Sequence, residues 1–203
     1  AAAAVGAEPV VKSKPYKAAV AVSTVVIFGT LSMFLYPALY RAGMLNLTTE
    51  QMGLFTGATL HEVAHVVGAG NAMGQAISDP AIIVKMIRVM MLAPVLVILS
   101  IILARRDSAA GGNSEKRKIT IPWFAFLFLA VIGFNSLHLL PAELVDAINT
   151  LDTFLLTMAM TALGAESSFE KFKKAGARPF LLAGLLYVWL FFGGYWLVKL
   201  ISF

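Results

Sequence analysis

An all-α bundle of membrane-spanning helices is the fold this sequence predicts, on three observations. Of its 203 residues, 59% are hydrophobic and only 13% are charged, with a mean hydropathy of +0.82. Apolar stretches recur at the length needed to cross a bilayer, and the basic residues gather mainly in the short connections between them. A chain of this size cannot cover a water-facing exterior from so small a polar supply. Its exterior must face a medium as apolar as its core, which is lipid.

The stretches follow in order. At 1.5 Å per helical residue, about 20 residues cross a hydrocarbon core of about 30 Å. About six stretches qualify by that length, at 17–40, 52–70, 81–104, 120–140, 144–165 and 179–203. The first ends near Tyr36-Pro37 and Tyr40 with interfacial aromatic character, and the third carries Pro94 at its middle. The sixth is rich in Phe, Trp and Tyr, as interfacial belts are. The second and fifth differ in kind. Each mixes Gly, Thr or Asn with ionisable residues at depths where polarity toward lipid is costly, so both are expected to face the protein interior. The six are read as a single transmembrane domain over 1–203. The chain opens on Ala1 and a run of small residues, not on Met with a charged n-region, and is therefore read as a piece of a longer protein without a signal peptide.

The net charge of +5 does not indicate nucleic acid, because no stacking aromatics interleave with the basic residues. It follows the positive-inside pattern. If all six stretches span, the connections holding Arg41, Arg105 to Lys118 and Lys171 to Arg178 share one side, the cytoplasmic one. Lys12, Lys14 and Lys17 would then lie outside, unless the second stretch is re-entrant and returns to the side it entered from. There are no cysteines, which removes disulfides, thiol nucleophiles and Cys-based metal sites. No cofactor is expected.

The second stretch holds His61-Glu62-Val63-Ala64-His65. On a continuous helix this H-E-x-x-H pattern sets two histidines on one face for Zn²⁺, with the Glu as general base for a bound water. A third ligand is missing at the usual spacing, and no metal ligands are assigned. Two other uses of His61, Glu62 and His65 stay open: hydrogen bonds that fix helix contacts, or a titrating group that couples solute movement to a proton or ion.

In the third stretch Lys85 and Arg88 are spaced i,i+3 and share a helix face, where two cations attract an anion. Snorkelling to the interface, or pairing with Glu62 or Asp152, would account for them equally. Asp152, with Asn149, Thr150 and Thr153, opens the fifth stretch. It is either a helix-start cluster complementing the dipole or part of a broken helix whose exposed ends hold an ion. Asn135, beside Gly133 in the fourth stretch, is a candidate polar lining residue.

Several long segments then resemble one family. Gly57 to Gly70 around His61-Glu62-Val63-Ala64-His65, Val84 to Pro94, Ile121-Pro122-Trp123-Phe124 and Leu151 to Gly164 are similar to the YeiH-like bacterial inner-membrane proteins, over essentially the whole chain. The resemblance implies the C-terminal part of a longer protein and a link to cation/proton antiporters and bile-acid symporters. It therefore implies inverted repeats of five helices with discontinuous helices crossing at the centre, here supplied by residues 1–8 and the fifth stretch. A short internal pair, Ala4-Val5-Gly6-Ala7-Glu8 and Ala162-Leu163-Gly164-Ala165-Glu166, agrees with such a repeat.

The expected function is therefore secondary transport: export of a small inorganic or organic anion, such as sulfate or a sulfonate, across the bacterial inner membrane by a multi-pass protein. Lys85, Arg88, Asn135 and Asn149 would bind substrate, and His61, Glu62, His65 and Asp152 would couple a proton or cation. The rival is an intramembrane zinc metallopeptidase built on the H-E-x-x-H segment. The lipid bilayer is the expected surrounding partner, and homo-oligomerisation is left open.

Overall fold

A computed structural model describes residues 2–11, 13, 15–109, 123–137, 139–166 and 177–201. The basic positions at 116–118 and 171–174, and Lys12 and Lys14, lie outside the described residues. Among those described, all regular structure is helical. The helices are α1 (Ala2–Val11), α2 (Pro15–Arg41), α3 (Thr49–Thr59), α4 (Val63–Met73), α5 (Gln75–Ala109), α6 (Trp123–Ser136), α7 (Ala142–Glu166) and α8 (Ala177–Ile201). Among the described residues, three segments are long and apolar enough to cross a membrane: Tyr16–Arg41, Gln75–Leu103 and Ala177–Ile201. On α8, Leu182, Trp189, Trp196 and Leu200 are 58%, 70%, 62% and 83% exposed. A side-chain set this apolar on the outside fits a lipid surround and not water.

The second stretch does not form one helix. It is two half-helices of 11 residues each, α3 and α4, about 16 Å long apiece and so about half a hydrocarbon core. α3 starts on a capping box, in which the Thr48 side chain accepts from Gln51 N and the Gln51 side chain accepts from Thr48 N. This arrangement satisfies two N–H groups that an α-helix leaves orphaned at its start.

The order of contacts gives the directions of these pieces. Gly53 lies against Pro80, and Gly57 against Ala81 and Val84, so α3 and the start of α5 run parallel. Gly70 lies against Ser78, and the Ser78 hydroxyl donates to Asn71 Oδ1 at 2.9 Å. These contacts place the end of α4 at the beginning of α5. α4 therefore runs back antiparallel to α3, and the pair is a re-entrant hairpin with its tip at residues 60–62. The turn from α4 into α5 is made at Gly74, whose φ of 115° is open to glycine and strained for other residues.

Close packing comes from small residues. The Gly53-x-x-x-Gly57 face lets α3 approach α5 closely, the geometry glycine permits between helices in lipid. α3 also lies against α8, where Gly194 meets Thr59 and Phe55. An aromatic cluster fills the same place: Tyr36 stacks on Phe55 at 4.9 Å, and Phe191 meets both edge-on at 5.5 Å. Tyr36, Met52, Phe55, Leu60, Val66, Ala69, Ile77, Ala81 and Val198 form the buried core.

By internal contacts the chain divides into two compact units, Ala19–Arg88 with Leu155–Phe203, and Ala2–Ala18 with Val89–Phe154. The hairpin, its core and the aromatic cluster belong to the first. The second contains α1, the later part of α5, α6 and the first half of α7, with Val10, Ala18, Ala93 and Leu96 among its buried residues. The fifth stretch, for which the residues left a helix start or a break near Asp152 open and the family resemblance implied a discontinuous element, is the continuous helix α7.

Candidate functional site

The sequence-predicted residues sort between the two units. His61, Glu62, His65, Lys85 and Arg88 belong to the first, at or beside the hairpin tip. Asn135, Asn149 and Asp152 belong to the second and are exposed. Around Asp152 the hydroxyls are turned onto the helix itself: Thr150 donates to Asp146 O at 2.9 Å and Thr153 to Asn149 O at 2.8 Å. These hydroxyls find their partners within their own helix, and α7 runs through the polar cluster without a break.

At the tip the backbone leaves helical geometry at two residues. Leu60 caps α3 with φ −64° and ψ 149°, its N–H donating to Thr56 O at 3.1 Å. Glu62 begins α4 with φ −127° and ψ 158° and makes no side-chain cap. The last carbonyls of α3 have no helical partner, and a buried carbonyl without an acceptor role is costly. Lys85 and Arg88 supply the donors. Lys85 Nζ donates to Leu60 O at 2.6 Å and His61 O at 2.8 Å. Arg88 donates from one terminal nitrogen to Ala58 O at 2.5 Å and Leu60 O at 3.3 Å. Two cations at a helix C-terminus also complement its dipole. Lys85 does not snorkel: it is 4% exposed and points into the break, whereas Arg88 is exposed and reaches the Ala58 and Leu60 carbonyls. The shared face read from the i,i+3 spacing is real, and it addresses backbone carbonyls.

Around the tip lie polar atoms that the protein does not fully satisfy. The buried atoms His61 Nδ1, His65 Nδ1, Thr56 Oγ1 and the Tyr187 hydroxyl have no hydrogen-bond partner among the described residues. The His61 ring stands 6.4 Å from Tyr187 in a stacked orientation. His65 Nδ1 is 3.9 Å from Glu62 Oε2, and His65 Nε2 is 3.4 Å from Thr30 Oγ1, a separation at the weak end for a hydrogen bond. Buried polar atoms are nearly always paired, so several orphans in one place call for water or a solute as the missing partner.

The metallopeptidase expectation does not fit this geometry. H-E-x-x-H presents two ligands on one face only if all five residues share a helix, and α4 begins after His61 and Glu62. No group of three or more His, Asp or Glu placed to hold a metal ion occurs among the described residues.

Tyr187, Thr56, Thr30 and Gly29 went unmarked in the sequence. Gly29 is where α2 makes room for the His65 ring; its signal was only a Gly-Thr pair inside an apolar run. Tyr187 was hidden among the belt aromatics of the sixth stretch.

The profile of a family described as "Conserved hypothetical protein 698" matches residues 1–183. The chain belongs to that family. Relatives carry the UPF0324 name. A UPF0324 membrane protein of Bacteroides thetaiotaomicron is 67% identical over 203 residues, covering 100% of this chain and 60% of the relative. The UPF0324 inner membrane protein YeiH of Escherichia coli strain K12 is 53% identical over 195 residues, 96% of this chain and 55% of the relative. A UPF0324 membrane protein of Bordetella bronchiseptica is 52% identical over 201 residues, 98% of this chain and 62% of the relative. The chain thus spans well under two thirds of the length of these relatives, and no solved structure matches it. UPF0324 membership makes it a membrane protein, in keeping with its all-helical structure among the described residues, and agrees with the resemblance read from the sequence.

Proposed function

We propose that this chain carries the solute site of a secondary transporter in the bacterial inner membrane, a multi-pass protein that moves a small anion such as sulfate or a sulfonate. The observation that carries this is the re-entrant hairpin, broken at 60–62 and lined by buried polar atoms that lack partners. Half-helix ends meeting inside a membrane protein are a recurring way to hold a charged solute, and irregular backbone at that depth is tolerated only where protein or a cavity surrounds it.

The polarity favours an anion. The carbonyl end of α3 is already neutralised by Lys85 and Arg88, whereas the first N–H groups of α4 have no side-chain cap and present the positive end of a helix. Lys85 has three N–H hydrogens and Arg88 five, so donors remain beyond those spent on carbonyls. Glu62 beside His65 is the proton-coupling pair. Protonation there removes negative charge next to the start of α4, so anion entry and proton uptake go together. Asn135, Asn149 and Asp152 are not required for this scheme.

The test is uptake of radiolabelled sulfate and sulfonates by proteoliposomes holding the complete protein. Arg88→Ala, checked for folding, is expected to lower flux at least about tenfold, the effect of losing one charge-assisted contact. Unchanged flux in a folded Arg88→Ala protein removes the binding role.

A further inference from the structure

Half-helix carbonyl ends in broken-helix transporters are where a coupling cation is coordinated. In this chain those carbonyls are already occupied. Three of them, Ala58 O, Leu60 O and His61 O, converge on the Lys85 ammonium and the Arg88 guanidinium at 2.5–3.3 Å. Lys85 carries the compact part of this arrangement: an ammonium is a point charge, it is 4% exposed, and it bridges the carbonyls of Leu60 and His61 at the hairpin tip.

The position is fixed by packing as well as charge. Gly57 allows the α5 backbone to come against α3 at Ala81 and Val84, and one residue beyond Val84 the Lys85 side chain reaches the break. Pro80 packs against Gly53 one turn earlier. The two glycine contacts set the α5 backbone against α3, and the Lys85 side chain is held at its end by two carbonyls.

We propose that Lys85 is a tethered cation, standing where a free monovalent cation would otherwise bind, so that the hairpin tip is charge-balanced without any alkali ion. This deepens the transport reading and rests on it for its functional meaning: coupling falls to the proton on Glu62 and His65, and not to sodium. It also makes a separate structural statement. Removing the ammonium opens a carbonyl cradle selective for a small monovalent cation, with ammonium and methylammonium the closest replacements for the lost group because they restore N–H donors to the same oxygens.

The experiment is thermal unfolding of the complete protein in detergent, in choline, sodium, ammonium or methylammonium chloride at equal ionic strength. Wild type is expected to melt at one temperature in all four salts. Lys85→Ala is expected to melt several degrees lower in choline chloride and to regain at least half of that loss in ammonium or methylammonium. Lys85→Arg keeps the charge and is expected to show no salt preference. Specific stabilisation of wild type by sodium over choline would show a free cation site beside Lys85 and overturn the proposal. A Lys85→Ala protein equally stable in every salt would overturn it too. If Lys85→Ala does not fold in choline, recovery of folded protein on purification in ammonium or methylammonium supports the proposal, and failure to recover in either refutes it. No anion is transported in this assay, so a negative flux result and a negative cation result remain distinguishable.

Discussion

Gly57→Ala is the most informative single change in the hairpin. A Cβ at Gly57 meets the Ala81 carbonyl oxygen, Val84 Cβ at 2.9 Å and Ala81 C at 3.0 Å. Two of these atoms are backbone of α5 and cannot rotate aside, so α3 and α5 must separate. Overpacking of this kind costs about 1–3 kcal/mol. Separation also stretches the Arg88 bond to Ala58 O, the neighbouring carbonyl, at 2.5 Å, and hydrogen bonds to charged groups contribute about 1.5–3 kcal/mol each. Against this stands a gain of about 0.5–1 kcal/mol from replacing glycine inside a helix. The net is a loss of about 2–4 kcal/mol, or a fall in melting temperature of about 5–15 °C. Gly133→Ala is the matched control, since nothing lies within 4 Å of its Cβ; it should leave the melting temperature unchanged or raise it slightly. Thermal unfolding in detergent reads both. A Gly57→Ala protein melting at or above wild type would refute the close α3–α5 approach that holds the two cations on the break.

Other outcomes follow from the same contacts. Tyr36→Phe deletes a buried hydroxyl that is 2.9 Å from Thr59 Oγ1, while Thr59 keeps its bond to Phe55 O; the loss should be about 1 kcal/mol, and adding Thr59→Val should cost less than the sum of the two single changes in a double-mutant cycle. Gly74→Ala places a Cβ in open space but at φ 115°, so the cost, about 1–3 kcal/mol, is backbone strain at the α4–α5 turn and should appear as faster proteolysis near residue 74; no change in cleavage would count against a strained turn. Glu62→Gln fixes a neutral side chain beside His65 and should flatten the pH dependence of anion flux in proteoliposomes, a steep profile in the variant placing the coupling proton elsewhere.

The membrane class was legible because it is compositional, and hydropathy also marked the three long helices. The polar residues at 61, 62 and 65 were rightly read as facing inward. What the sequence did not disclose was direction. No proline or glycine stands at residues 60–62, so the break is made by tertiary donors, Lys85 and Arg88, arriving 25 residues later to satisfy the freed carbonyls. Continuous apolar character across 52–70 therefore looks like one span. Conversely, Asp152 with its Asn and Thr neighbours looks like a break, but those hydroxyls bond back to their own helix. Folding the second stretch back is the re-entrant alternative that the positive charge near the N-terminus had left open. The inverted repeat itself rests on the family resemblance.

The central claim, that an anion binds at the hairpin tip, is tested most directly by anomalous diffraction from crystals of the complete protein soaked in selenate, a heavier stand-in for sulfate. The account predicts an anomalous peak beside the start of α4, within reach of Arg88 and the Tyr187 hydroxyl, that disappears in Arg88→Ala crystals. Selenate bound only elsewhere, in a protein that still transports sulfate, would contradict it.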